Sequence, residues 1–354
     1  MIWANGGTIM KQSFVPSFIC PIPREPVALC SNSIVIEDDG VEFLVGRTAQ
    51  LDAPESARVI GGTLSTPQYR RLLKALVAIS LGEGEHEIGL GLSVATNWIN
   101  RFRDKQGSIN LSKENKELLE TAISEIKFRK GNTNSPQKIL RVKLAIEPTV
   151  YFETQAVTFC IPQNLKTYAL WQMGHGDKQQ AVLIDGRSAT NALQRVEGLA
   201  GAIKRFAQNT GLSEAESLKA WQLGTKPEAD GMNGKRIDCE NEKRIAAREY
   251  FSNSVSKLLN SMQDYKERIR NIILSGGAAK DEIAVEILKE EVESTGWYKL
   301  HTINNLPVKD ERCEDPLFVC AHGLASAPFV QQFEGKRLGL DVGNFALKSI
   351  LIGE

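Results

Sequence analysis

The sequence predicts an α/β fold in two domains, on three observations. The chain has 354 residues, 42% of them apolar, enough for more than one hydrophobic core. Its last stretch is Arg337-Leu-Gly-Leu-Asp341-Val-Gly343-Asn-Phe-Ala-Leu-Lys348-Ser-Ile-Leu-Ile-Gly353, two apolar runs either side of a tight glycine turn, the pattern of a β-hairpin. Tyr168 to Ile184 repeats strand, glycine-rich turn and strand in the middle of the chain.

The hairpins carry suggestive chemistry. Asp341 stands at the end of a strand, where a carboxylate can hold a metal-bound water. The turn Gly343-Asn344-Phe345 can offer peptide N–H groups to phosphate oxygens, with Lys348 supplying a positive charge. Taken alone, the segment reads equally as an ordinary hairpin with a surface lysine, since short motifs match by chance.

Composition bounds the partners. Lys plus Arg and Asp plus Glu both number 43, so the net charge is zero, and direct binding to bare nucleic acid or to an anionic membrane is not expected. The six cysteines show no Cys-x-x-Cys spacing and read as reduced core thiols of a cytosolic protein rather than as disulfides or a zinc site. No apolar run reaches membrane-spanning length, and the start of the chain lacks a basic-then-apolar signal pattern.

Taken in order, Thr8 to Ser17 alternates and reads as a strand, as does Val41 to Gly46. Thr66 is an N-cap with Pro67 at the first helical position. Tyr69, Leu72, Leu73, Leu76 and Val77 share one face of that helix, and Gly82 stops it. Glu87 to Val94 reads as a buried strand, with charge-rich helices following to about Gly131 and a loop to Pro136. Ile139 to Ile146 is a strand. Thr149 to Ile161 is apolar at Val150, Tyr151, Ala156, Val157 and Phe159, with Glu153 and Gln155 between. Leu199, Ile203 and Phe206 mark a helix, and Ser213-Glu-Ala-Glu216 is a capping box for another. A long helix is expected from about Asn241 to Arg270, with Ile245, Val255 and Leu258 inward. Asn271 to Ser275 is a short buried strand that breaks into Gly276-Gly277-Ala278 before a further helix, and Trp297 to Ile303 is a strand.

Five of these segments together resemble the actin superfamily. The terminal hairpin resembles its first phosphate loop: apolar strand, Asp-x-Gly, then Lys or Gln. Gln172-Met-Gly174-His175-Gly176-Asp177-Lys178-Gln179 resembles the second phosphate loop. It departs from it at Gln172, where the family strand usually ends in Asp, and at Asp177 and Lys178, where small or hydroxyl residues are usual. Thr149 to Ile161 resembles the helix joining the two actin domains, Gly276-Gly277-Ala278 the adenosine motif, and Asp315 to Leu324 the second interdomain helix. Four segments stand in family order; the first phosphate loop is displaced to the carboxyl terminus.

The resemblance implies a two-domain, actin-like (ribonuclease H-like) nucleotide clamp in circularly permuted order. Domain I would comprise 1–163 and 325–354, domain II 164–324, with ATP or GTP and Mg²⁺ in the cleft. Asp341 would hold Mg²⁺ through water, and Gly343, Asn344, Phe345 and Lys348 the β-phosphate. Gly174, His175, Gly176, Asp177 and Lys178 would hold the γ-phosphate, and Gly276, Gly277 and Ala278 the nucleoside. Gln155, helped by Gln179 or Glu153, would orient the attacking water. The compact size is most like bacterial ParM-type plasmid-segregation actins. That implies a cytoplasmic, self-assembling filament and NTPase that reaches DNA through an adaptor. A small-molecule kinase of the superfamily, or a nucleotide-binding filament with little hydrolysis, are the alternatives.

Overall fold

The structure is a computed structural model that describes residues 8–52, 57–59, 64–94, 111–189, 194–228, 235–306, 315–343 and 346–353. The chain divides into two compact units, Met1–Cys160 with Phe318–Glu354, and Ile161–Leu317.

Unit 1 begins with strands β1 (Thr8–Pro16), β2 (Phe18–Pro21), β3 (Ser33–Asp38) and β4 (Val41–Gly46), helix α1 (Arg47–Asp52) and β5 (Ala57–Arg58). Helix α2 (Pro67–Leu81), β6 (Gly84–Val94), α3 (Lys113–Ser124), β7 (Glu125–Arg129), β8 (Lys138–Leu144), β9 (Thr149–Phe152) and α4 (Glu153–Thr158) follow. Unit 2 holds β10 (Tyr168–Met173), β11 (Asp177–Ile184), β12 (Arg187–Ser188) and β13 (Gln194–Glu197), then α5 (Leu199–Thr210) and α6 (Glu214–Leu223). A two-stranded ribbon, β14 (Thr225–Pro227) with β15 (Arg236–Asp238), leads to α7 (Glu240–Ser261), β16 (Asn271–Ser275), α8 (Glu282–Glu293) and β17 (Lys299–Thr302). The chain then returns to unit 1 with α9 (Val319–Ala325), β18 (Lys336–Val342) and β19 (Ala346–Gly353).

The two main sheets repeat one wiring. In unit 2, β10 and β11 form the hairpin, β12 and β13 pair antiparallel with β11, and β16 then β17 extend the sheet in parallel from β10. In unit 1, β18 and β19 form the hairpin, β1 pairs antiparallel with β19, and β6 runs parallel to β18. Both β8 and β9 are parallel to β6, along its first and last residues. The wiring matches, but the order along the chain is rotated: in unit 1 the third strand comes first and the hairpin last. The expected pairing of the terminal hairpin with the Thr8 strand is present, with a bulge between Ile9 and Lys11.

Each unit has its own core. In unit 1, Leu72, Leu73 and Leu76 of α2 are buried against β6 and the hairpin residues Leu338, Leu340 and Leu347, at roughly 1.5–3 kcal/mol per side chain. In unit 2, α5 and α7 cover Ala169, Trp171 and Met173 of β10. Helix α9 is buried along its whole length and lies directly on two strands and on α4. A Cβ on Gly339 of β18 would come within 1.9 Å of the Ala321 carbonyl, one on Gly91 of β6 within 2.4 Å of that of Leu324, and one on Gly323 within 1.8 Å of that of Ala156. This packing puts α9 in unit 1, so the boundaries expected after 163 and 324 fall after Cys160 and Leu317.

Pro67 begins α2, Gly82 at φ 81° ends it, and the Ser213 hydroxyl accepts from the Glu216 amide at 3.3 Å, as the sequence implies. Other expectations are corrected. The segment Thr149 to Ile161 is half strand, because Val150 and Tyr151 pair with Leu92 and Ser93, and the helix begins only at Glu153. The charge-rich stretch before Gly131 ends in strand β7, which pairs with β8. The long helix stops at Ser261, and its Ile245 is 47% exposed.

Candidate functional site

The two hairpins superpose residue for residue along the sequence. Asp341 faces Lys348 across the first, and Gln172 faces Gln179 across the second, seven positions apart in each case. Each strand end is also held from the neighbouring parallel strand by a serine. Ser93 of β6 donates to Asp341 Oδ1 at 3.0 Å, and Ser275 of β16 donates to Gln172 Oε1 at 2.5 Å.

In unit 1, Lys348 Nζ lies 2.8 Å from Asp341 Oδ2, their side chains 15% and 3% exposed. Burial works against the ammonium, but the Asp341 carboxylate outweighs it and holds the Lys348 pKa above its usual value. Ser93 Oγ also accepts from the Val342 amide at 3.3 Å, and the Ser17 hydroxyl donates to the Gly343 carbonyl at 3.0 Å, so the chain entering the turn is anchored twice. Glu153, first residue of α4, belongs to the same group: with Asp341 it raises the pKa values of Lys348, of the Tyr69 hydroxyl and of the Cys320 thiol, the last two already pushed up chiefly by burial. Gln155 is exposed two positions further on, about 200° around the helix from Glu153, so Glu153 rather than Gln155 shares the field of the ion pair. Asn344 and Phe345 lie outside the described residues.

In unit 2 the turn is fixed by the helix behind it. The amides of Gly198, Leu199 and Ala200, at the start of α5, donate to the carbonyls of Gly176, Gly174 and His175 at 3.2, 3.1 and 2.7 Å. In a trans peptide the N–H opposes the C=O, so the His175 and Gly176 amides point away from α5, with its positive dipole end behind them. Asp177 is engaged on the hairpin itself: its Oδ2 accepts from Arg195 Nε at 2.8 Å and from Gln179 Nε2 at 3.1 Å.

Lys178 does not join this group. Its side chain is fully buried on the opposite face, with Nζ 5.0 Å from the Trp171 ring, 5.6 Å from the Phe251 ring and 3.4 Å from Ser254 Oγ of α7. Burial pushes its pKa down to about 7. The expectation that Lys178 holds phosphate is therefore corrected. Successive strand residues face opposite sides, and the position matching Lys348 is Gln179.

The glycine pair follows Ser275 directly. Gly276 has φ 86°, and a Cβ there would come within 2.6 Å of the Met173 carbonyl, so a glycine is needed beside the end of β10. Gly277 is half-buried, and Ala278 packs into the unit 2 core, leaving its backbone rather than its side chain for a ligand.

Among the described residues no three His, Cys, Asp or Glu come together as a direct metal-ligand set. The five described cysteines are free thiols, four of them buried; Cys313 lies outside the described residues. Among the described residues no helix is long and apolar enough to cross a membrane. Ser93, Tyr69 and Arg195 are site residues that the sequence reading missed, because strand pairing and helix packing alone bring them there.

No protein-family model and no curated protein matches the sequence. Solved structures do. An archaeal actin homologue is 12% identical, with 88% of this chain and 90% of that one covered at a TM-score of 0.61. The filament structure of an Alp protein is 14% identical, with 90% of each chain covered at 0.57. ParM of Bacillus thuringiensis with ATP is 12% identical, with 90% and 91% covered at 0.57. The chain has the actin-like fold.

Proposed function

We propose that this chain, built on the actin-like fold, is a nucleotide-dependent filament-forming protein that binds ATP or GTP through both hairpins and hydrolyses it in step with polymerisation. The observation that carries the reading is the buried Asp341–Lys348 pair, seated on Ser93 beside the Gly343 turn. A buried ion pair is poor value as a source of stability. Its position beside a glycine turn suits a polyanionic ligand instead.

Lys348 and the Gly343-Asn344-Phe345 turn supply a charge and amides for a β-phosphate. Mg²⁺ is usually held by one or two carboxylates while keeping several waters, and Asp341 fits that requirement through water. When bound, Mg²⁺ neutralises charge on the phosphates. The turn of Gly174, His175 and Gly176 lends its backbone to a γ-phosphate, although the Gly174 amide itself is given to the Asp177 carbonyl at 2.8 Å, and the backbone of Gly276, Gly277 and Ala278 receives the nucleoside. Glu153 orients the attacking water; Gln155 and Gln179 are the secondary candidates. The filament and ATP-bound proteins to which the chain is similar support self-assembly and nucleotide binding. The rotated strand order of unit 1 supports a circular permutation with domains at 1–160 plus 318–354 and 161–317. Cytoplasmic plasmid segregation through a DNA-binding adaptor is the role that the ParM-type resemblance of the sequence implies, and zero net charge favours an adaptor over direct DNA contact.

The neutral Gln172–Gln179 pair favours a second reading, a nucleotide-binding filament with little hydrolysis. Sedimentation of the full chain with ATP, with GTP and without nucleotide tests the main reading, with phosphate release measured alongside. Nucleotide-dependent pelleting with phosphate release is expected; pelleting without release selects the second reading; no nucleotide-dependent pelleting rejects both. Replacing Glu153 by Gln is expected to leave pelleting intact and slow release more than replacing Gln155 by Ala.

A further inference from the structure

The same turn carbonyl is held in both hairpins, but by different chemistry. Gly343 stands two residues beyond Asp341, as Gly174 stands two beyond Gln172, so the two glycines are equivalent positions. In unit 2 the Gly174 carbonyl accepts from the Leu199 amide at 3.1 Å, a backbone donor. In unit 1 the Gly343 carbonyl accepts from a side chain, the Ser17 hydroxyl, at 3.0 Å. Ser17 takes the place of Gly198, because Pro16 pairs with Ala346 as Glu197 pairs with Asp177. A Cβ on Gly198 would come within 2.4 Å of the Gly174 carbonyl, so only backbone fits in unit 2 where unit 1 uses a side chain.

We infer that Ser17 is a positioning residue for the phosphate-binding turn of unit 1, holding the Gly343 carbonyl so that the turn meets an anion with that oxygen already engaged. The inference rests on the nucleotide reading above and deepens it. Ser17 is fully buried, and its backbone is fixed on both sides: Pro16 pairs with Ala346, Phe18 pairs with Arg58 of β5, and the Ser17 carbonyl accepts from the Val59 amide at 2.8 Å. The hydroxyl therefore reaches the turn from a rigid base. A carbonyl oxygen is the negative end of the peptide dipole, and one left without a donor beside a phosphate would repel it. Bonded to a buried hydroxyl, the Gly343 carbonyl is turned into unit 1 and its charge is spent there. Ser17 touches the turn and acts on the ligand only through it.

The test is equilibrium binding of a fluorescent ATP analogue to the full chain, for the wild type, Ser17→Ala and Ser33→Ala, with urea melts of all three. Ser33 is the matched control: it is equally buried in unit 1 and its hydroxyl accepts from the Thr48 amide at 2.8 Å, away from the hairpin. Each variant leaves one backbone group without its buried partner, so both are expected to lose stability. Only Ser17→Ala is expected to weaken the analogue, by about fivefold or more, while Ser33→Ala stays within about twofold of the wild type. Should Ser17→Ala not fold, Ser17→Cys, which keeps the side-chain volume with a weak donor, is read by the same criterion. Wild-type affinity in the Ser17 variant, or an equal loss in Ser33→Ala, overturns the inference and leaves the nucleotide reading standing. Absence of binding by the wild type overturns both.

Discussion

The two hairpins share a length, a register and a serine behind the first strand, yet one is ionic and the other is not. Asp341, Lys348 and Ser93 in unit 1 stand where Gln172, Gln179 and Ser275 stand in unit 2. One position earlier on the second strand the contrast reverses: Leu347 packs into the unit 1 core, while its counterpart Lys178 is buried under α7 between Trp171 and Phe251. The difference teaches that register, not residue type, decides which side chain reaches the turn. A lysine beside a glycine turn pairs with a carboxylate on one face of the strand and is buried among aromatic rings on the other.

The largest effect is expected from breaking the ionic pair. Asp341→Ala leaves Lys348 buried without its carboxylate and is expected to cost about 3–5 kcal/mol, read from denaturant midpoints, whereas Gln172→Ala costs about 1 kcal/mol. Equal losses would erase the comparison.

Lys178 sharpens it through pH. Its folded pKa lies near 7, whereas the unfolded chain keeps this lysine protonated up to about 10.5. The unfolded state therefore binds more protons between pH 7 and 10.5, so this group's contribution to stability rises with pH through that window. Lys178→Met is expected to be more stable than the wild type at pH 7 by a few kcal/mol, with the gap closing towards pH 10. Urea melts of both proteins at the two pH values check it; a gap independent of pH would mean that Lys178 stays charged.

The serines give the smallest difference. Ser93→Ala removes a hydrogen bond to a carboxylate and is expected to cost about 1.5–3 kcal/mol, against about 1 kcal/mol for Ser275→Ala, where the acceptor is neutral. Paired denaturation curves decide it.

The sequence makes both hairpins legible, because apolar runs around glycine turns are local signals, and it carries the displaced order of unit 1 as well. The register is also present in it, as the equal spacing from Asp341 to Lys348 and from Gln172 to Gln179. What misleads is Lys178, the basic residue nearer the glycines, whose burial depends on Phe251 and Ser254 more than seventy residues away. Ser93 and Tyr69 are illegible for the same reason: each reaches Asp341 from an element far along the chain. Thr149 to Phe152 reads as helix until its pairing with β6 is known, a case of tertiary contacts overriding a local pattern.

The central claim, that Lys348 and not Lys178 faces the ligand, is tested by measuring nucleotide affinity in Lys348→Gln and Lys178→Met side by side, with circular dichroism showing both folded. The account predicts that Lys348→Gln weakens binding by about tenfold or more while Lys178→Met stays within about twofold of the wild type. The opposite pattern, with Lys178→Met losing the nucleotide and Lys348→Gln keeping it, would contradict the register on which the account stands.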